Sequence, residues 1–192
     1  MSPPRSLMLS TARLNLRPLR TSDGGALAKI LRDPRVGRTL PYRVRTEGGE
    51  AFVARVQQEQ RAGTNFAFAI VPKGLAEPIG QVRLMDWNRR DRHAEIGLFI
   101  GRRWWGKGFG PEAIRAVCDF GFGSLGLHRV DAWVVEGNTR SVQALRKCGF
   151  QVEGLRREAT RVNRRWYDVV LLGAVRRTAR RASARRRSSA AA

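Results

Sequence analysis

The sequence is poor in cysteine, lysine and histidine. It also lacks any long apolar run. Of its 192 residues only two are cysteine, Cys118 and Cys148, and their spacing matches neither a disulfide framework nor a metal-binding motif. No metal is therefore expected. The longest apolar run, Val169 to Val175, is interrupted by Gly173 and falls far short of the roughly 20 residues of a membrane-spanning helix. The first ten residues hold two prolines and an arginine but no apolar block of signal-peptide length, so a cytoplasmic address with no membrane partner is the expectation. Lysine contributes four of the 37 basic residues, leaving 33 arginines against 16 acidic residues and a net charge of +21. A basic set so short of lysine reflects arginine-rich coding as readily as a selected surface. The charge predicts attraction to polyanions, ribosomal RNA included, but it specifies no activity.

What is present suffices for one domain. Apolar residues make up 42% and charged residues 28%, a composition that supports a packed core. The chain divides into a flexible leader (1–10), a folded body (11–175) and an arginine-rich, low-complexity tail (176–192) that is expected to be disordered.

Within the body, Arg13–Arg20 alternates with period two, as a strand with one buried face does. Thr21-Ser22-Asp23 supplies N-cap residues before Ala26, Leu27, Ile30 and Leu31, a helix that should stop at Asp33-Pro34. A second helix is predicted over Thr46–Arg61, with Phe52, Val53 and Val56 inward. Strands follow at 66–71, 78–85, 94–100 and 130–135, with a helix from Pro111 to about Phe122 before the last of them. That strand–helix–strand order makes a right-handed crossover and a parallel pair. A short helix from Thr139 to Cys148 and a late antiparallel hairpin (150–155, 166–172) complete the pattern. The fold class is α/β, or α+β: a mixed sheet of about seven strands, mostly antiparallel, with a central parallel pair and helices on both faces.

The richest segment is Ile100-Gly-Arg-Arg-Trp-Trp-Gly-Lys-Gly-Phe-Gly-Pro-Glu-Ala113, which leaves a strand and opens a helix. Backbone N–H groups and the helix dipole make such a turn an anion site. As a P-loop, Gly101-x-x-x-x-Gly106-Lys107 fits, but Gly108 stands where Ser or Thr must bind magnesium. As a dinucleotide fingerprint, Gly108-x-Gly110-x-x-Ala113 fits, but the acid that should end the next strand falls at its start, as Asp131. The remaining template is Arg103-x-x-Gly106-x-Gly108.

That template resembles the pyrophosphate loop of the GNAT superfamily of acyl-coenzyme A-dependent N-acyltransferases. Ala94-Glu-Ile-Gly-Leu-Phe-Ile100, Trp105-Gly-Lys-Gly-Phe-Gly110, Asn138-Thr-Arg-Ser141, Cys148-Gly-Phe150, Val152-Glu-Gly154 and Trp166-Tyr-Asp168 are similar to its RimJ/RimL-type ribosomal-protein N-terminal acetyltransferases. The resemblance runs in order over about residues 11–175. It implies acetyl-coenzyme A as cosubstrate and direct attack by an amine, most naturally a protein or peptide N-terminus, in a monomer or homodimer. A small-molecule amine is the alternative acceptor. A basic nucleic-acid-binding protein is the rival class, although no helix-turn-helix, zinc or RNA-recognition signature supports it.

Carried onto this sequence, the resemblance assigns Leu98, Phe99 and Ile100 to backbone contacts with the thioester and pantetheine. Arg103, Gly106, Lys107, Gly108, Phe109 and Gly110 fall on the pyrophosphate, and Asn138 on the pantetheine. Ser141 becomes the hydroxyl near the leaving thiolate, and Lys147 meets the 3′-phosphate or complements a helix C-terminus. Gly97 permits a bulge that would splay the parallel pair. Pro111 stands where the family often has threonine. By residue type alone, Asn138 reads first as an N-cap and Ser141 as a solvent-facing first-turn residue; the glycine loop upstream favours the site reading. The general base is left between Glu158, marginally preferred, and Glu95. His93 and His128 read as solvated strand-edge residues. Trp87, Trp166 and Tyr167 read as walls for the acceptor.

Overall fold

A computed structural model describes residues 7–40, 49–63, 65–162 and 165–176. The start of the helix expected from Thr46 and nearly all of the arginine-rich tail lie outside the described residues.

Eight strands form one mixed sheet in the order β1-β2-β3-β4-β5-β6-β8-β7. They are β1 (Leu9–Ser10), β2 (Leu14–Arg17), β3 (Phe66–Pro72), β4 (Gly80–Asn88), β5 (His93–Ile100), β6 (Arg129–Val135), β7 (Gln151–Val162) and β8 (Arg165–Val175). Every neighbouring pair is antiparallel except β5 and β6. Helices α1 (Gly24–Arg32), α2 (Pro34–Gly37) and α3 (Gly49–Arg61) cover one face, and α4 (Phe109–Gly123) and α5 (Thr139–Arg146) the other. Alternation explains the two cores. On β5, Ala94, Ile96 and Ile100 join Ile114 and Val117 of α4, while Phe99 turns to Phe52 and Val53 of α3. Among the described residues no helix is long and apolar enough to cross a membrane.

Three elements depart from the sequence expectation. The strand beyond the expected seven is β1, inside the segment read as leader, where Leu9 pairs with Leu16 while Leu7 and Leu9 pack on the core. Two residues carry no readable period. The chain also restarts a helix where α1 stops. Asp33 caps it by accepting from the Arg35 N–H at 2.8 Å, and Pro34 takes the first position, which suits proline. The late hairpin is longer than expected because register shifts at 152–154 and 156–160 break the alternation of β7.

The feature that positions the site is a fork. β5 and β6 pair only at His93–Arg129, Ala94–Val130 and Glu95–Asp131, then run apart to Ile100 and Val135. The expected splay is present, but not through a bulge at Gly97. The register of β5 on β4 is unbroken from Glu95 to Ile100. The irregularity lies on β4 between Met85 and Asn88, where Asp86 takes a φ of 53°. Gly97 serves differently: a Cβ there would come within 2.9 Å of the Met85 methyl, so its absence keeps that side chain in place.

Candidate active site

The glycine loop leaves β5 through Gly101 and a short 3-10 turn (Arg102–Trp104) and enters α4 at Phe109. Gly106 and Gly108 have φ of 76° and 82°, a left-handed conformation that costs a side-chain-bearing residue about 1 kcal/mol or more. Their residue type is therefore set by the turn, which exposes the first N–H groups of α4. Pro111 occupies the third position of α4, not the first. It still removes only an N–H from the first turn, where intrahelical partners are lacking.

A clamp that the sequence does not announce fixes this loop. Glu112 accepts from Thr11 Oγ1 (2.6 Å), the Arg13 N–H (2.9 Å) and Arg13 Nε (2.7 Å). Arg13 Nη1 donates to the Lys107 carbonyl at 3.0 Å, and its guanidinium lies 4.7 Å from the Phe109 ring centre. Burial alone would push the Glu112 carboxyl up, but hydrogen bonds from Thr11 and Arg13 outweigh it and hold the group below its usual range. Partners a hundred residues apart give no local signal. Trp105 adds a second tie by donating Nε1–H to the Ile100 carbonyl at 2.7 Å, beneath the Arg140 guanidinium.

Between this loop, the end of β5 and α5 runs a cleft of about 310 Å³. Of the expected cofactor contacts, Leu98, Phe99, Ile100, Gly106, Gly108, Gly110, Asn138, Ser141 and Lys147 line it. Arg103, Lys107 and Phe109 do not. The two cations stack on Trp104, with distances of 5.0 and 4.9 Å to the ring centre, and Phe109 lies under Arg13. Thr39, Arg140 and Gln143 line the cleft without having been singled out. Asn138 plays both parts offered by its residue type. It lines the cleft, and its side chain accepts from the Ser141 N–H at 3.3 Å as the α5 N-cap, while Nδ2 donates to the Thr39 carbonyl at 3.4 Å.

A smaller inner cavity of about 70 Å³ lies in the fork and shares Thr39, Leu98, Asn138, Ser141 and Ala144 with the cleft. Ser141 thus stands at the junction. Among the described residues, Glu95 is the only carboxylate lining the inner cavity, whose other walls include Leu40, Met85, Ile96 and Trp133. Burial first, then the nearby Asp86 and Asp131 carboxylates, outweigh Arg83 and His93 and raise the Glu95 carboxyl to about 7. Glu158 lies elsewhere. It is exposed on β7 at a φ of 46°, its N–H donating to Asp168 Oδ1 at 2.8 Å, and it lines neither space.

The expected acceptor walls are not brought to this place. Trp87 packs on Phe66, Trp166 lies beside Arg161 and Tyr167 beside Arg165. Trp133, not singled out from the sequence, lines the cavity instead. His93, read as a solvated edge residue, bonds through Nε2 to Asp131 Oδ2 at 2.6 Å.

An anion cradle, an apolar channel, a hydroxyl at its bend and a carboxylate at its end suit transfer of an acyl group from a phosphate-bearing carrier to an amine. Comparison with known proteins agrees. Residues 13–151 match the acetyltransferase (GNAT) domain. An uncharacterised N-acetyltransferase, p20 of Bacillus licheniformis, is 33% identical over 171 residues, 88% of this chain and 96% of that protein. The [ribosomal protein uS5]-alanine N-acetyltransferase of Escherichia coli is 28% identical over 85% of this chain and 88% of its own. A spermidine N(1)-acetyltransferase of Vibrio cholerae is 35% identical over 91 residues, covering 47% of this chain and 53% of its own. The structure of Mycobacterium smegmatis RimJ in complex with CoA-disulfide superposes with a TM-score of 0.78 at 26% identity, over 90% of this chain and 87% of that one. The chain belongs to the GNAT acetyltransferase family and is an acetyl-coenzyme A-dependent N-acetyltransferase.

Proposed function

We propose that the acceptor is the α-amine of a protein or peptide N-terminus with a small first side chain, and that Glu95 is the base. The observation that carries this reading is the inner cavity, in which one carboxylate stands among apolar walls. One ammonium group and a short side chain fit such a space. A polyamine would bring further cations, and among the described lining residues no second carboxylate stands to meet them. The extent of similarity to the uS5-alanine enzyme, nearly the whole of both chains, favours the same choice.

In this reading the acceptor ammonium gives a proton to Glu95, and the neutral amine attacks the thioester carbonyl carbon. The C–N bond forms, the C–S bond breaks, and Ser141 hands the thiolate the second proton lost by the nitrogen. Left-handed glycines and the α4 N-terminus hold the pyrophosphate, while Arg140 and Lys147 supply positive charge along the cleft. Leu98–Ile100 orient the reacting arm, so much of the rate comes from positioning. Work on ribosomal proteins would place the enzyme in the cytoplasm, where its basic surface can contact RNA.

The test is a competition at one acetyl-coenzyme A concentration. Peptides beginning with Ala, Ser or Thr, a peptide offering only lysine ε-amines, spermidine and an aminoglycoside are compared by mass spectrometry. The peptide α-amine should lead in kcat/KM. An advantage of about tenfold for any other acceptor would overturn the acceptor assignment and leave the family intact.

A further inference from the structure

We infer that the His93–Asp131 pair returns to solvent the proton that Glu95 takes from the acceptor. The inference rests on Glu95 as base and asks how the carboxylate is reset after each turnover.

Geometry supplies the argument. The short paired stretch of β5 and β6 places Glu95 opposite Asp131 and His93 opposite Arg129. Period-two alternation puts all four side chains on one face of the sheet, just below the fork. Glu95 borders the inner cavity and, among the described residues, its carboxyl makes no hydrogen bond to a protein group. Its proton is therefore not committed to a structural partner. The next groups outward are different: His93 and Asp131 are 32% and 26% exposed and share the 2.6 Å contact. That contact occupies Nε2, and among the described residues Nδ1 makes no hydrogen bond to protein. Arg129 pairs with Asp131 and with Glu153 of β7, which fixes the Asp131 carboxylate and balances its charge.

Among the described residues, the remaining charged groups facing Glu95 come from β4. Arg83 is held by Glu59 of α3 at 3.5 Å, and Asp86 lies at the irregular turn of the strand. An imidazole can take a proton on one ring nitrogen and give one up from the other, which an arginine cannot do. Each turnover then moves one proton from the acceptor ammonium to Glu95, on through Asp131 to His93, and from the imidazolium to water or buffer. No electrons change hands.

The experiment measures kcat against pH at low and high buffer concentration, for wild type, His93→Ala, His93→Gln and Glu95→Gln. His93→Ala should lower kcat about tenfold at low buffer, less than the 10²–10⁴-fold of a direct acid or base. The KM for acetyl-coenzyme A should stay unchanged, and added imidazole should restore turnover. His93→Gln keeps a hydrogen-bond donor for Asp131, so it should melt like wild type yet remain slow. Normal turnover of the His93 variants at low buffer, or a loss that imidazole does not restore, would overturn the relay. If Glu95→Gln alone loses the acid limb while the His93 variants work normally, the base assignment stands and the relay fails. If Glu95→Gln keeps that limb, the base assignment itself is wrong.

Discussion

A carboxylate held in a poorly solvated place should burden the fold, and the size of that burden follows from its raised proton affinity. Glu95 has its proton affinity raised from 4.5 to about 7, first by burial and then by neighbouring carboxylates. Between those values the folded protein retains a proton that the unfolded chain releases. The associated stability is complete below pH 4.5 and is lost as pH rises through about 7. At 1.36 kcal/mol per pH unit the ceiling is about 3.4 kcal/mol. Screening by water reaching the cavity reduces this to about 1.5 kcal/mol.

Glu95→Gln keeps the shape and removes the charge. The variant should therefore melt about 3–6 °C above wild type at pH 8, given roughly 2–4 °C per kcal/mol for a chain of this size. About half of the gain should remain at pH 5, where the unfolded carboxyl is only partly protonated. The same variant should lose about 10²-fold in kcat/KM. Thermal scans at the two pH values decide the matter. Equal gains at both would show that packing and not charge is responsible, and no gain at pH 8 would show that Glu95 is well solvated.

Gly108→Ala places a Cβ at a φ of 82° and 3.1 Å from Arg13 Nη2, disturbing both the turn and the clamp. It should weaken acetyl-coenzyme A about tenfold, seen as a smaller ligand-induced rise in melting temperature, and an unchanged rise would remove the loop from the site. Ser141→Ala should lower kcat by about 10²-fold with little change in cofactor affinity, because in the proposed mechanism the hydroxyl acts on the leaving thiolate. Wild-type turnover would reduce Ser141 to a residue of the α5 first turn.

The sequence was legible where the physics is local. Left-handed turns need glycine, which exposed Gly106 and Gly108, and an N-cap needs a short polar side chain, which exposed Asn138. Period two and period 3.6 gave most of the sheet and helices. Contacts far apart in the chain were not legible. The Arg13–Glu112 clamp, the His93–Asp131 contact and the arrival of Trp133 at the inner cavity all depend on sheet order. The choice between Glu95 and Glu158 is the instructive case. Both are carboxylates in strand regions, and only the fork at β5–β6 separates a half-buried one from an exposed one.

The fork also explains why so basic a chain gives so little away through its charge. β5 is antiparallel to β4 and parallel to β6, because the α4 crossover returns the chain to the same end of the sheet. The glycine loop, the start of α5 and the diverging strand ends therefore gather at the carboxyl ends of the parallel pair. In sheets with parallel strands that is where crevices open. Arg140 and Lys147 face the outer cleft, on the side where phosphates would enter, while among the described residues Glu95 is the only ionisable side chain lining the inner cavity. In the proposed mechanism, specificity for the acceptor would be set by one carboxylate at the last paired position and by apolar neighbours that the separating strands uncover. Arginines elsewhere on the surface can change how often a polyanionic partner is met. They leave unchanged which amine reaches Glu95, so surface arginine substitutions should alter association at low salt and leave the ranking of acceptors alone.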